Sequence, residues 1–526
     1  MKWNAWGDPQ EAKPLPEGIR SLLKQALGVT DSAVAELDAD QVTLRGSQLA
    51  DDHREALAAV VGPEYCRVGD RDRLLHAGGK STLDLLHRKD SGAQEVPDAV
   101  LLPGTDDEVA AILRYCSQHG IAVVPFGGGT SVVGGLDPIR GAFDAVVSLD
   151  LRRFDQLHAF DAVSGEAEFG AGVTGPHAEQ LLAAHGFSLG HFPQSFEFAS
   201  LGGFAATRSS GQDSAGYGRF DDMIRGLHAI TPAGVLDLGR APASAAGPDL
   251  RQLLIGSEGV FGVITRVRLR VHPSPDVTRY EAWLFPDFAT GTAALRAVAQ
   301  TGTGPTVIRL SDEAETGVNL ATTEAIGESQ ITGGCLAITV FEGTAAHAES
   351  RHAETRELIA AMGGTSLGEA PARAWEHGRF GAPYLRDSLL AAGALCETLE
   401  TATDWSNIPA LKAAVTDALT TALAESGTPA LVLCHISHVY ATGASLYFTV
   451  VAGQRGNPIE QWRAAKTAAC DAIVATGATI THHHAVGADH RPWMRNEVGD
   501  LGVQVLRAVK STLDPAGILN PGKLIP

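Results

Sequence analysis

Three consecutive histidines, His482, His483 and His484, form a dense group of chemically active side chains near the end of the chain. Imidazoles can ligate a metal ion, bind a phosphate or transfer protons near pH 7. If the run lies on a strand, alternate side chains point to opposite faces, so at most two of them could reach one ion. We therefore predict a substrate site and no metal. A mononuclear metal site and a hydrogen-bonded turn without a ligand are the alternatives.

A glycine-rich segment forms a second candidate site. Residues 127–129 are all glycine and follow an apolar run at residues 121–124, while Thr130 and Ser131 add hydroxyl donors. Consecutive glycines let backbone N–H groups converge on an anion with no Cβ in the way, which suits a pyrophosphate. The pattern is neither the GxGxxG of a Rossmann unit nor the GxxxxGK[ST] of a P-loop. A tight turn without a ligand is the alternative.

Two later segments supply further exposed backbone, hydroxyl groups and one cation, and together the three segments predict the contacts of one cofactor. The predicted cofactor-binding residues are Pro125, Phe126, Gly127, Gly128, Gly129, Thr130 and Ser131, then Pro193, Gln194, Ser195, Gly202, Gly203, Thr207, Arg208, Ser209 and Ser210, and finally Glu258, Gly259, Gly262, Val263 and Ile264.

Apolar, β-rich runs border these segments and predict the strands that hold them, at residues 121–124, 146–149 and 263–271. Residues 105–116 predict a helix, because Glu108 stands three residues after Thr105. Between residues 276 and 480, Ala-rich helical stretches alternate with strands, which predicts a separate α+β domain. A final helix at residues 498–513 precedes a series of Pro and Gly turns.

Composition restricts the class of protein. The chain has 526 residues, of which 44% are hydrophobic and 19% charged, so it is neither disordered nor a single small domain. A formal charge of -20 makes nucleic acid an unfavourable partner. The six cysteines include no CxxC pair, and the amino terminus lacks a charged segment followed by an apolar stretch. We therefore expect a cytoplasmic location.

Taken in order, the three glycine-rich segments resemble the flavin-binding domain of flavoproteins of the vanillyl-alcohol oxidase type. The resemblance implies an α+β fold with a two-subdomain FAD-binding domain, an α+β cap, and helical terminal segments. It divides the chain into a helical segment (1–91), a PCMH-type FAD-binding domain (92–275), a cap or substrate domain (276–490) and a segment that returns to the FAD domain (491–526). Relatives with covalent flavin often carry a histidine where Thr130 stands, so the FAD is expected to be non-covalent.

Within that superfamily the chain resembles the alkyldihydroxyacetonephosphate synthases over nearly its whole length. The matching segments include residues 2–8, 97–100, 308–310, 383–387, 397–401, 443–448 and 482–487. The resemblance implies exchange of the acyl group of acyl-dihydroxyacetonephosphate for a long-chain alcohol through an adduct at flavin N5, without net redox turnover. The stretch at residues 212–214 lacks the lysines of the eukaryotic enzymes, which indicates a bacterial relative.

The resemblance also implies roles for individual residues. Arg386 would hold the substrate phosphate, although an ion pair with Asp387 is the alternative. Arg309 would support activity directly or brace a domain interface. Tyr447 would take a proton from the substrate carbon and return it, and the histidines would share the proton handling and supply cations that stabilise the phenolate. A core aromatic is the alternative for Tyr447, because Phe448 follows it in an alternating strand.

Two other functions are weighed against the synthase. An FAD-dependent 2-hydroxy acid dehydrogenase or oxidase, acting on D-lactate or glycolate, shares the FAD domain but commonly has an HxGDGNxH segment. Residues 438–447 lack its acidic residue and its second histidine. A non-catalytic flavin or lipid carrier would not need the Arg386, Tyr447 and histidine set.

Lipid substrates imply an apolar tunnel and peripheral membrane contact. We also expect the protein to form a homodimer.

Overall fold

The computed structural model describes residues 1–12, 14–29, 37–89, 94–322 and 333–526. The strands are β1 (Cys66–Arg67), β2 (Ala99–Leu101), β3 (Ile121–Phe126), β4 (Ala145–Asp150), β5 (Leu157–Asp161), β6 (Glu166–Gly170), β7 (Phe187–Ser188), β8 (Ile224–Thr231), β9 (Gly234–Leu238), β10 (Val263–Arg270), β11 (His272–Pro273), β12 (Val277–Phe285), β13 (Val307–Ser311), β14 (Cys335–Gly343), β15 (Thr365–Gly368), β16 (Ala394–Asp404), β17 (Ala430–Val439) and β18 (Gly443–Gly453).

The α-helices are α1 (Glu17–Leu27), α2 (Asp51–Val61), α3 (Asp70–Leu75), α4 (Thr82–Lys89), α5 (Asp106–His119), α6 (Gly175–Ala183), α7 (Leu201–Thr207), α8 (Ser214–Tyr217), α9 (Phe220–Met223), α10 (Arg251–Leu254), α11 (Phe288–Thr301), α12 (Glu313–Thr322), α13 (Ala345–Ala361), α14 (Ala370–Gly378), α15 (Ala382–Ala391), α16 (Ile408–Glu425), α17 (Pro458–Ala475) and α18 (Met494–Leu513). Thr105 caps α5 by accepting a hydrogen bond from the backbone N–H of Glu108, as the sequence predicts.

Two sheets build the first half of the chain. The four-stranded sheet has the order β1-β2-β4-β3, with β3 parallel to β4 and both strands almost completely buried. The five-stranded antiparallel sheet has the order β5-β6-β10-β8-β9. The first glycine-rich segment begins where β3 ends, and the second lies on α7. The third forms the turn before β10, so the fold brings the three segments together.

The cap is a seven-stranded antiparallel sheet with the order β15-β12-β14-β13-β17-β18-β16. Side chains alternate between its faces. One face packs on helices α11, α16 and α17 through an apolar core that includes Leu310, Ile436 and Phe448. The intervening residues Arg309 and Tyr447 therefore point to the opposite face. The mixed architecture confirms the predicted fold class.

The closing segment returns to the first sheet, as expected. The backbone N–H of Val123 donates to the carbonyl of Ile518 at 2.9 Å, and the N–H of Asn520 donates to the carbonyl of Val123 at 2.8 Å. Leu519 is completely buried between these bonds. The end of the chain thus completes the sheet that presents the first glycine-rich segment. Over the described residues, no helix combines the length and the apolar character needed to cross a bilayer.

Candidate active site

One large cavity, here called the central cavity, joins the two halves of the molecule and has a volume of about 840 Å³. The three glycine-rich segments line one end of it. Polar side chains from the cap sheet also line it, including Arg309, His435 and Tyr447. Apolar residues of α1, α15, β17 and β18 line the remainder, among them Leu23, Leu389, Leu433 and Val451. Sites for a cofactor, for chemistry and for a hydrocarbon chain are therefore continuous.

Most of the predicted cofactor-binding residues line the cavity. They are Pro125, Phe126, Gly127, Gly128, Gly129, Thr130, Ser131, Pro193, Gln194, Ser195, Gly202, Gly203, Thr207, Ser209, Ser210, Glu258, Gly259, Gly262 and Ile264.

Two predicted residues do not line it. Arg208 ends α7 in the left-handed region with φ 51°, which turns its guanidinium toward Asp221 and Gln252, at 3.0 and 2.9 Å. Val263 begins β10 and is completely buried in the core beside Ile230. Both residues support the fold around the cofactor end of the cavity.

The cofactor end fits FAD. Among the described residues, Gln194 Nε2, Ser210 Oγ and Gln212 Oε1 are buried polar atoms without a hydrogen-bond partner, and all three residues line the cavity. Such atoms are costly unless a ligand satisfies them. A Cβ on Gly128 would lie 2.0 Å from the carbonyl oxygen of Phe198, so the loop follows the neighbouring backbone closely. These features match a cradle for a polar, phosphate-containing cofactor.

The three histidines, called the histidine triplet below, lie in a bend after residue 481 and not on a strand. The bend is held by the buried carboxylate of Glu400, which accepts bonds from the backbone N–H groups of His482 and His484 at 2.5 and 2.8 Å. The hydroxyl of Thr481 donates to the same carboxylate at 2.6 Å. The strand geometry considered from the sequence therefore does not apply to these residues, which form a hydrogen-bonded bend. His483 and His484 line the cavity, whereas His482 lies behind them.

The triplet is buried in its neutral form. Burial lowers the pKa of His482 and His484, and lowers that of His483 to about 3. The carboxylate of Glu400 is stabilised by the hydroxyl of Thr481 and by the two backbone N–H groups that donate to it. The triplet thus consists of neutral imidazoles around a carboxylate.

Ring nitrogens of His438, His482 and His483 lie within 4.8 Å of one another, the arrangement that most resembles a metal site among the described residues. Each ring of His438 and His482 already has protein partners at both nitrogens. His438 Nε2 donates to the carbonyl of Gly211 at 3.2 Å, and its Nδ1 is 2.8 Å from the hydroxyl of Ser437. These bonds tie the rings into a hydrogen-bonded network with the protein.

Tyr447 lies on β18 directly opposite Glu400 on β16. Its ring stacks on His435 with centroids 5.0 Å apart and is parallel to that of His483 at 6.1 Å. Burial raises the pKa of Tyr447, nearby Glu397 raises it further, and Arg386 only partly opposes them. The expectation that protonated histidines stabilise a phenolate is therefore wrong, because the histidines are neutral. Tyr447 is a neutral phenol at the cavity wall.

Arg309 belongs to a buried network that sequence reasoning missed. Its Nη2 donates to Glu315 Oε1 at 3.0 Å, and Glu315 Oε2 is 2.8 Å from Nδ1 of His435. Burial would raise the pKa of Glu315, but His435 and Arg309 lower it to about 2. Because His435 also stacks on Tyr447, the network connects Arg309 to the phenol. An acid just after an apolar strand was the signal in the sequence, but its partner lies 120 residues away.

Arg386 lies on α15 and lines the cavity. Its Nη2 and Nε donate to Asp387 Oδ1 at 3.0 and 3.2 Å, and its Nη1 donates to the carbonyl of Lys80 at 2.6 Å. The ion pair with Asp387 considered from the sequence thus exists, and the guanidinium also reaches the cavity. The backbone N–H of Trp6 donates to the other oxygen of Asp387 at 2.5 Å. The tryptophan-rich start of the chain therefore holds the Arg386 pair in place.

Comparisons with known proteins agree with this geometry. Residues 97–239 match the "FAD binding domain" family model, and residues 274–524 match "FAD linked oxidases, C-terminal domain". The chain is 32% identical to alkyldihydroxyacetonephosphate synthase of Trypanosoma brucei brucei, over 100% of this chain and 92% of the relative. A solved structure of an alkyldihydroxyacetonephosphate synthase superposes with a TM-score of 0.85 at 28% identity, covering 100% and 99% of the two chains.

A relative with a different activity is more distant. The mitochondrial, cytochrome-linked D-lactate dehydrogenase of Arabidopsis thaliana is 27% identical over 82% of this chain and 74% of its own length.

We expect Gly128→Ala to yield folded protein without yellow colour, because the added Cβ would overlap the carbonyl of Phe198 and displace the loop that approaches the cofactor. The measurement is the flavin absorbance per mole of purified protein. Gly46→Ala is the control, since a Cβ there meets nothing within 4 Å. Full flavin content in Gly128→Ala would contradict the proposed cradle.

The neutral histidines also predict how stability depends on pH. The pKa of His483 is about 3 in the folded protein, below the ordinary value of about 6.5, so only the unfolded chain binds a proton as the pH falls below about 6.5. The free energy of unfolding is therefore highest above about pH 6.5, as far as this histidine contributes to it. It falls on acidification by up to about 1.4 kcal/mol per pH unit for each such histidine.

We expect the melting temperature to fall between pH 7.5 and 5.5, and to fall less in His483→Gln than in the wild type or in the exposed control His158→Gln. An equal fall in all three proteins would show that His483 is not buried neutral.

Proposed function

This chain belongs to the alkyldihydroxyacetonephosphate synthase family, and from that premise we propose that it exchanges the acyl group of acyl-dihydroxyacetonephosphate for a long-chain alcohol. The observation that carries the proposal is the continuity of the central cavity. A cradle that fits FAD, a polar cluster around Tyr447 and an apolar arm lined by Leu23, Leu389, Leu433 and Val451 share one volume. This is the arrangement needed to bring a fatty chain and a phosphate-bearing head group to a flavin.

FAD would be held by the three glycine-rich segments, with the loop at residues 127–129 against the pyrophosphate and Thr130 and Ser131 as hydroxyl donors. When bound in its reduced form, FAD supplies a nucleophilic ring nitrogen that divides one difficult displacement into two easier ones. We propose that it is bound without a covalent link, since Thr130 offers no imidazole. Flavin that stays with the protein pellet after acid precipitation would contradict this.

Proton handling is proposed to involve Tyr447 and His483. The phenol of Tyr447 keeps its proton and can donate it, while the unprotonated imidazole of His483 can accept one. Both groups line the cavity, and their rings lie parallel at 6.1 Å. His484 lies beside them with its backbone fixed by Glu400. The pair thus offers a donor and an acceptor for removing a proton from the substrate carbon and returning it.

Arg386 is proposed to bind the substrate phosphate. Asp387 and the carbonyl of Lys80 fix its orientation, and Arg386 lines the central cavity. Arg386→Lys keeps the charge but loses the bidentate fork, so dihydroxyacetonephosphate should bind more weakly by on the order of 2 kcal/mol. Wild-type affinity by titration calorimetry would exclude this role.

Arg309 is proposed to act by fixing Glu315 and His435 behind Tyr447.

Peripheral membrane contact and a homodimer are also proposed. Leu22 and Leu385 line the cavity and are 44% and 40% exposed, which places apolar surface beside an entrance for lipids. Sedimentation with phosphatidylcholine vesicles tests the contact.

Val498, Leu501 and Val505 are exposed apolar residues of α18, on either side of a kink at Gly499. This surface would suit a second copy, and light scattering gives the mass of the particle in solution. The six cysteines are free and buried, in keeping with a cytoplasmic location, which cell fractionation tests.

The proposed activity predicts that reduced, FAD-loaded protein converts palmitoyl-dihydroxyacetonephosphate and labelled hexadecanol to a labelled ether under anaerobic conditions, while the flavin stays reduced. In a separate mixture D-lactate should not reduce the oxidised flavin. Bleaching by D-lactate without any ether product would instead support the 2-hydroxy acid dehydrogenase and overturn the proposal.

Tyr447→Phe removes only a hydroxyl group from the cavity wall, so we expect FAD content and melting temperature to be preserved. Turnover should fall about a hundredfold or more, the scale of a lost general acid or base. Entry of solvent tritium at the oxygen-bearing carbon of the substrate should fall in parallel. Normal exchange and normal turnover in Tyr447→Phe would show that the tyrosine only packs.

A further inference from the structure

A second, shallow pocket of about 290 Å³ opens to solvent beside the histidine triplet. Its lining includes Tyr440, Thr442 and Gly477, none of which lines the central cavity. Two side chains between the central cavity and this outer pocket have no part in the proton handling proposed above. These are Tyr440, which lines the outer pocket, and His482, which is only 6% exposed.

Hydrogen bonds connect the two spaces without a gap. The hydroxyl of Tyr440 lies 2.5 Å from Nε2 of His482. Nδ1 of His482 lies 2.9 Å from Nδ1 of His483, whose side chain lines the central cavity. The two nitrogens of the His482 ring contact the two neighbouring groups, and Nδ1 of His483 contacts His482. An imidazole can accept a proton at one ring nitrogen and release a proton from the other.

We propose that Tyr440, His482 and His483 form a proton relay between the central cavity and the outer pocket. The inference rests on the proposed function, in which a proton leaves the substrate carbon and later returns to it. A lipid substrate in the central cavity would block the direct way to solvent, because the apolar arm would be filled by hydrocarbon. Protons would then exchange with water through the outer pocket.

Each transfer in the relay is balanced. His483 accepts a proton at Nε2 from the cavity and gives its Nδ1 proton to Nδ1 of His482. His482 gives its Nε2 proton to the oxygen of Tyr440, and Tyr440 gives its hydroxyl proton to water in the outer pocket. The return of a proton follows the same bonds in reverse, with every group ending in its neutral form.

The surroundings favour transfer over storage of the proton. Burial lowers the pKa of His482 well below its ordinary value and that of His483 to about 3, so neither imidazole retains a proton that it receives. Glu400 fixes the backbone N–H of His482 and so keeps the series aligned. Arg219 also lies beside the Tyr440 hydroxyl, but this guanidinium is held by Asp221 at 3.0 Å and remains charged.

The test measures turnover and the entry of solvent tritium at the substrate carbon in Tyr440→Phe, which keeps the ring and removes the relay hydroxyl. We expect unchanged FAD content and KM within twofold of the wild type, with tritium entry and kcat at least tenfold lower. The solvent deuterium isotope effect should change from a curved to a linear dependence on deuterium content, because fewer protons move together. A merely structural role would not alter that curvature.

Two further variants keep the test decisive. Tyr280→Phe is the control, because it also removes a tyrosine hydroxyl that is hydrogen-bonded, in this case to Glu376 at 2.7 Å. Tyr280 lies outside the relay, so this variant should behave as wild type. Thr442→Trp, at an exposed position in the outer pocket, should slow tritium entry without removing any relay bond.

Wild-type tritium entry and kcat in both Tyr440→Phe and Thr442→Trp would overturn the relay while leaving the proposed function intact. If the wild-type protein itself introduces no tritium and forms no ether, the proposed function fails and the relay fails with it.

Discussion

The buried carboxylate of Glu400 holds the histidine triplet in place beside the central cavity. It is 2% exposed and lies on β16, opposite Tyr447 on β18. Its two oxygens accept bonds from the backbone of His482 and His484 and from the hydroxyl of Thr481. A carboxylate inside a protein is tolerated only when such donors surround it. The same bonds that stabilise the charge therefore fix the bend of the histidine triplet.

The alternation of the cap sheet explains how this polar cluster coexists with a stable core. Successive residues of β13, β17 and β18 face opposite ways. Leu310, Ile436 and Phe448 pack among the helices, whereas Arg309 and Tyr447 face the cavity. Chemistry and stability thus occupy two faces of one sheet. The apolar arm continues along the cavity face through Leu433 and Val451, which places hydrocarbon and polar head group side by side.

Local features of the sequence predicted the cofactor cradle and the reactive side chains, but of their partners they indicated only Asp387, the neighbour of Arg386. Consecutive glycines dictate close backbone approach wherever they occur, so Gly128 could be interpreted from the sequence alone. Arg208 and Val263 belong to the glycine-rich segments, but their side chains point away from the central cavity. The direction of a side chain depends on backbone dihedral angles, which cannot be read from the sequence. Glu400 was visible only as part of the family-matching segment 397–401, because its pairing with Tyr447 depends on the register of two strands in the sheet.

One buried carboxylate positions the histidine triplet for proton handling, and Glu400→Gln tests this most directly. The amide is nearly the same size but presents N–H groups where backbone N–H groups now donate. Glu281→Gln, at another buried carboxylate of the cap that pairs with His352, is the matched control. The measurement is ether formation per FAD-loaded molecule. We predict at least a hundredfold loss in Glu400→Gln, with bound FAD retained and the control near wild type. Wild-type ether formation in Glu400→Gln would contradict the account.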